Sequence, residues 1–275
     1  MNLGAPVNSP ATEQAPALSP DGLSLYFSSD RPGGLGATDL WVSQRDCGEC
    51  PWNAPVNLGS VVNSTAGDAG PSLSIDGHLL FFTSSRSGGQ GLNDIYVSRR
   101  TNPKDDFGWR PPVSLGGEVN TAAFEAGPEY LQSAEGGVAN FYFNRGPTGT
   151  SQDIYLAAVT RDGETLGPAV LVLELSDPAA NDAASTLRTD GREVLFYSNR
   201  PGGLGGNDLW VSTRQNIHDP WSPPLNPGLP LNTAAADQQP GLSVDGRTLV
   251  FASNRSGSIG GSVDIWMSIR TVSAK

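Results

Sequence analysis

The sequence predicts an all-β chain folded as a five-bladed β-propeller, and three observations predict it. The composition is turn-rich, a strand-forming motif recurs five times at one period, and the N-terminal segment matches the outer strand that the last repeat lacks. In 275 residues, 34 Gly and 22 Pro supply more turns than long helices tolerate, and only 16% of residues are charged. The formal charge of −11 makes the average surface repel phosphate backbones and anionic lipid, so nucleic acid is a poor partner. No apolar run approaches the roughly 18 residues that span a bilayer, and the first residues lack the basic and apolar regions of a signal peptide, so no membrane insertion is expected.

The repeat is read from five segments. They are GLSLYFSSDRPGGLGATDLWVSQR from Gly22, GHLLFFTSSRSGGQGLNDIYVSRR from Gly77, VANFYFNRGPTGTSQDIYLAAV from Val138, REVLFYSNRPGGLGGNDLWVSTR from Arg192 and RTLVFASNRSGSIGGSVDIWMSIR from Arg247. The acids that open the units, Glu13, Asp68, Glu125, Asp182 and Asp237, lie 55, 57, 57 and 55 residues apart, a length that suits four strands. Each unit reads as a short strand after the acid, a DG-type turn and an alternating strand such as Leu23-Leu25-Phe27. A Gly-rich loop, a third strand such as Asp39–Ser43 and a fourth around Asn57–Asn63 follow.

The fifth unit ends after its third strand. Residues 2–9, NLGAPVNS, match 57–64, NLGSVVNS, at the same spacing of 55, and so complete the last blade and close the ring. The expected organisation is one domain over 1–275, with blades at about 13–64, 68–121, 125–177, 182–233 and 237–275 plus 2–9, and a monomer.

The motifs Ser19-Pro20-Asp21-Gly22, Ser29-Asp30-Arg31-Pro32-Gly33-Gly34-Leu35-Gly36 and Asp39-Leu40-Trp41-Val42-Ser43 resemble the WD40-like PD40 repeat of TolB-type propellers. Blade three departs, with Ser133-Ala134-Glu135-Gly136 in place of the usual turn and a shorter loop at Arg145–Gly149. The resemblance implies a bacterial, extracytoplasmic (periplasmic or secreted) binding or scaffold module.

In a propeller the first strand of each blade lines the central channel. Glu13, Asp68, Glu125, Asp182 and Asp237 are therefore expected as a ring of acids at one mouth, with either a structural role or a candidate site for Ca2+ or another cation, and no cofactor is required. Arg31, Arg86, Arg145 and Arg200 each precede an Asp by eight residues, and Arg255 precedes Asp264 by nine, which suggests loop-closing ion pairs. Trp41, Tyr96, Tyr155, Trp210 and Trp266 are expected in the core between blades. Function is sought where the symmetry breaks: Gln14 in blade one, Glu129 and Tyr130 in blade three, Arg188 in blade four, Gln238 and Gln239 in blade five. Glu129 beside the acid ring is expected to have a pKa raised by like-charge repulsion.

Candidate ligand contacts are the five ring acids with Gln14, Glu129, Tyr130 and Gln239. The absence of GxSxG, HExxH and P-loop motifs favours a non-catalytic binding or scaffold module for a small polar ligand, saccharide or protein partner. The alternative is an enzyme of the glycoside hydrolase type with paired carboxylates, the candidates being Glu125, Glu129 and Asp182. Cys47 and Cys50 fit a short disulfide or an inert loop better than redox catalysis, because the surrounding repeats are not βαβ.

Overall fold

The computed structural model describes residues 1–132 and 137–270, so Ser133-Ala134-Glu135-Gly136 and the last five residues of the expected fifth blade lie outside the described residues. Blade one comprises β1 (Glu13–Leu18), β2 (Ser24–Ser29), β3 (Asp39–Gln44) and β4 (Val56–Asn57), and blade two β5 (Asp68–Leu73), β6 (Leu79–Ser84), β7 (Asp94–Arg99) and β8 (Val113–Ser114). In blade three come β9 (Phe124–Gln132), β10 (Val138–Thr148), β11 (Ser151–Thr160) and β12 (Val170–Leu171). Blade four holds β13 (Asp182–Leu187), β14 (Glu193–Ser198) and β15 (Asp208–Thr213), and blade five β16 (Asp237–Leu242), β17 (Thr248–Ser253) and β18 (Asp264–Ile269). Every sheet is an antiparallel meander in sequence order, and the first strand of each blade packs against the first strands of its neighbours.

Blades stack face to face, so both sides of a middle strand are covered. This is why all six residues of β2 and of β6 are buried although the hydrophobic pattern alternates. Five apolar clusters fill the five junctions between adjacent blades, including one of Val7, Leu25, Phe27, Trp41, Val250 and Ile265 that joins the last blade to the first. In blades one, two and four the outer segment is clipped to the third strand by an asparagine that bonds both backbone groups of one residue: Asn63 to Leu40, Asn120 to Ile95 and Asn232 to Leu209. Asn8 does the same to Ile265 from the N-terminal segment, and Asn2 bridges Trp266, so residues 2–9 occupy the outer-strand position of blade five.

The acids and arginines form a bolt repeated once per blade. Glu13, Asp68, Glu125, Asp182 and Asp237 have no exposure and pair with Arg31, Arg86, Arg145, Arg200 and Arg255, respectively. Each guanidinium also donates to a carbonyl of the preceding blade's outer segment, at Val7, Val62, Val119, Leu175 and Leu231. It lies over a pair of rings, such as Phe27 and Trp41, so the aromatic series on the third strands lies at the blade junctions as expected.

This corrects the pairing read from spacing. The arginines take the ring acids, and the aspartates downstream in blades one, two, four and five instead accept backbone N–H groups of the Gly-rich loop, for example Asp39 from Leu35 and Gly36 and Asp94 from Gln90. A carboxylate held within a few residues of its own loop caps that loop more readily than it reaches a guanidinium already engaged. The loop itself abuts the next blade, where a Cβ on Gly36 would lie 1.7 Å from the carbonyl oxygen of Ala66.

Candidate functional site: the central channel

The sequence places five acids as an electronegative ring, but burial at zero exposure forces each to find a partner, and none is left for a ligand. In addition to its arginine, Glu13 accepts from the Ser9 N–H and hydroxyl, and Glu125 from those of Thr121. Among the described residues no group of three His, Cys, Asp or Glu is placed to hold a metal ion.

The channel wall is shaped by a bulge in every first strand. Pairing shifts between Gln14 and Ala17 and at the equivalent points of the other blades, and Ala15, Gly70, Gly127, Ala184 and Gln239 adopt φ between 48° and 65°. The bulge turns backbone N–H groups toward the neighbouring blade: Ala15 donates to Gln239 Oε1, Gly70 to Ser28 Oγ and Ala184 to Asn144 Oδ1. Gln239 is thus tied to blade one, and Gln238 accepts from Asn207. The levels of Ala15 and Ala17 and their equivalents in the other blades both line the channel, as alternation along the first strand leads one to expect.

Beyond the bulge, where the first strands end, a cavity of about 120 Å³ opens along the axis. Its deep level is formed by Ala17, Ser72, Glu129, Thr186 and Gly241, and Pro20, Ile75, Thr189 and Val244 line the wide end. Glu129 is the one carboxyl among the lining residues. It accepts hydrogen bonds from Ser72 Oγ at 3.1 Å, Thr186 Oγ1 at 3.2 Å and the Leu187 N–H at 2.9 Å, and so bridges blades two, three and four. Burial pushes its pKa up to about 7 against the pull of those three donors. Desolvation raises it, in place of the expected repulsion from the acid ring, whose carboxylates are neutralised on the far side of the bulge.

Glu125 and Glu129 oppose Arg145 and Tyr142, three partner residues apart and so about 10 Å along the strand. With Glu125 and Asp182 both committed to arginines, the expected carboxylate pairs are not assembled. Tyr130 is stacked on Phe81 with its hydroxyl on the Arg161 carbonyl, and Arg188 pairs with Asp190 at the surface. Alternation along the first strands already puts Ser72 and Thr186 at the channel level of Glu129, and the structure shows them holding its carboxyl. Sequence reasoning missed Ser185, a buried channel residue whose hydroxyl has no partner among the described residues. The signal existed, since Ser185 stands where the other blades have Pro16, Pro71, Pro128 and Pro240.

Fold and channel together define a five-bladed β-propeller with, among the described residues, one carboxyl in the lining of its axial cavity. No family model matches the chain, and no curated protein matches it. Among solved structures it is similar to an alpha-L-arabinofuranosidase from Lactobacillus brevis (TM-score 0.64, 12% identity, 97% of this chain and 92% of that one). It is also similar to a thermostable family-43 glycoside hydrolase (TM-score 0.66, 13% identity, 96% and 91%). A putative TolB from Agrobacterium tumefaciens superposes less well (TM-score 0.52, 18% identity, 95% and 83%).

These likenesses establish the fold and correct two expectations. The PD40 and TolB-type resemblance is not supported, because the solved structures of this shape are mostly glycoside hydrolases; a short repeat motif reports blade geometry common to many propellers. The non-catalytic binding or scaffold reading falls with it, since the missing nucleophile motifs have no bearing on chemistry carried by channel carboxyls.

Proposed function

We propose that the chain is a carbohydrate-active enzyme of the glycoside hydrolase type that receives a saccharide in the axial cavity, with Glu129 as the proton donor. The observation that carries this reading is a desolvated carboxyl with a pKa of about 7, the one carboxyl among the described lining residues, held on three donors in an open channel. Such a group is protonated in an appreciable fraction at neutral pH and delivers its proton to the leaving glycosidic oxygen as the C–O bond breaks, while water from the channel mouth adds to the anomeric carbon and releases its own proton to the bulk solvent, from which Glu129 is reprotonated. The shape shared with an arabinofuranosidase and a family-43 hydrolase supports the same class. An extracytoplasmic location belongs to this proposal, and the Cys47–Cys50 disulfide supports an oxidising compartment.

A panel of arabinofuranosides, xylopyranosides and N-acetylhexosaminides tests it, each as a sugar-leaving oligosaccharide and as the 2,4-dinitrophenyl glycoside. Glu129→Gln is expected to lower turnover of the oligosaccharides by about 10²- to 10⁴-fold and to spare the dinitrophenyl glycosides, whose leaving group needs no proton. Wild-type protein that turns over none of the panel, or a variant that loses both kinds equally, overturns the proposal.

A further inference from the structure

The level of the channel that holds Glu129 also carries a row of backbone donors, and the row is capped on one side only. In blades four and five the N–H of the residue after the axial position is satisfied by the preceding blade's side chain: Leu187 donates to Glu129 and Leu242 to Thr186 Oγ1. The equivalent N–H groups of blades one, two and three belong to Leu18, Leu73 and Tyr130. The register turns the Leu18 and Leu73 amides away from their own sheets: Ser19 and Ser74 bond the second strand, and the antiparallel pattern then points the preceding residue outward. Register places Tyr130, opposite Phe141, in the same orientation. Among the described residues none of these three N–H groups has a side-chain acceptor.

The reason lies in the axial residues before them. Gly241 precedes Leu18 around the ring and Ala17 precedes Leu73, and neither carries an oxygen. Gly241 is packed directly against the Pro16 carbonyl, whereas the small side chain of Ala17 leaves a notch beside the Leu73 N–H, walled by Pro16, Pro71 and Leu18. Ser185, also in the lining, keeps a buried hydroxyl with no partner among the described residues. Among the described residues no lysine or arginine lines the cavity to offset the charge of a buried anion, and the donors suit a neutral acceptor.

We propose that this notch is the subsite for an acetamido group of the substrate, so that the saccharide is an N-acetylated amino sugar. The carbonyl oxygen accepts from the Leu73 N–H, and the methyl packs on Ala17 and the proline wall. Glu129 is left free for the glycosidic oxygen. The inference rests on a saccharide occupying the channel, but it concerns binding alone and is read without turnover.

Calorimetry with methyl N-acetyl-β-glucosaminide and methyl β-glucoside tests it. The acetamido compound is expected to bind at least tenfold more tightly, because a site built around hydrogen-bond donors rejects the analogue that leaves them unpaired. Ala17→Thr gives blade one the residue blade four carries at that position; its hydroxyl caps the Leu73 N–H as Thr186 caps Leu242, and its bulk fills the notch. This variant is expected to lose the tenfold preference at an unchanged melting temperature, while Ala17→Gly retains it. Equal affinity for the two sugars, a preference that survives in Ala17→Thr, or binding of free acetate in place of acetamide overturns the inference. Absence of hydrolysis with the acetamido preference intact overturns the proposed activity and leaves the subsite standing.

Discussion

Glu129 makes the sharpest single-residue prediction because its pKa differs between states. An unfolded glutamate titrates near 4.5 and the folded one near 7, so between these values the folded chain retains a proton the unfolded chain has lost. Stability is therefore highest below about pH 4.5 on this account, declines as pH rises to 7 and is flat beyond. Melting temperatures from pH 5 to 8 are expected to fall more steeply in wild type than in Glu129→Gln; parallel curves would refute the assignment. Hydrolysis on the proposed mechanism needs the protonated form and falls as pH rises through 7.

The ring acids behave differently. Removal of Arg31 as Arg31→Ala leaves the Glu13 carboxylate buried and is expected to cost about 3 to 5 kcal/mol by urea unfolding, whereas Arg31→Ala with Glu13→Gln recovers part of it. At this scale the sequence was informative about residue types and poor about partners. Arg and Asp residues recurring in all five repeats, eight residues apart in four of them and nine in the last, announce a structural role. Which carboxylate a guanidinium takes depends on the fold bringing residues 13 and 31 side by side at the ends of β1 and β2, and spacing alone favours the nearer residue.

The strands were legible because each has its own signal: a DG turn, an alternating run and a Gly-rich loop. The bulge was not, since Ala15, Ala184 and Gln239 carry no mark of left-handed backbone, and only Gly70 and Gly127 hint at it. That asymmetry is testable. Ala15→Gly relieves a φ of 49° in a non-glycine residue and is expected to be neutral or stabilising by up to about 1 kcal/mol. Gly127→Ala sets a Cβ 2.1 Å from Asn144 Oδ1 and 3.0 Å from Ala184 Cα, so it is expected to destabilise by about 2 kcal/mol or more, read by denaturant midpoint. The Cys47–Cys50 bridge spans two residues at the tip of an exposed connection, where it restrains little of the unfolded chain. The double serine variant is expected to melt within a few degrees of wild type.

For the whole molecule, closure was legible in the match of residues 2–9 to 57–64, and the structure makes that segment an outer strand with the same asparagine clip as its counterparts. Deletion of residues 1–9 removes Val7 from a blade junction, Asn8 from Ile265 and the carbonyl that receives Arg31. The melting temperature is expected to drop by more than any single surface substitution causes; an unchanged value would mean the ring holds without its clasp.

The clasp also sets how the ring yields to force. Asn2 lies opposite Trp266 in antiparallel register, and the Met267 N–H donates to the Met1 carbonyl, so the chain leaves the pair at the same end on both strands. Tension applied between handles at residues 1 and 270 then acts on one rung at a time, peeling the pair open like a zipper instead of loading all its bonds together in shear. The first event in an optical-tweezers trace is accordingly a small extension at low force, about the contour of nine residues at roughly 3.5 Å each, before any blade gives way. The same ring gripped through residues in two opposite blades has no such free end to peel and resists until a whole junction parts.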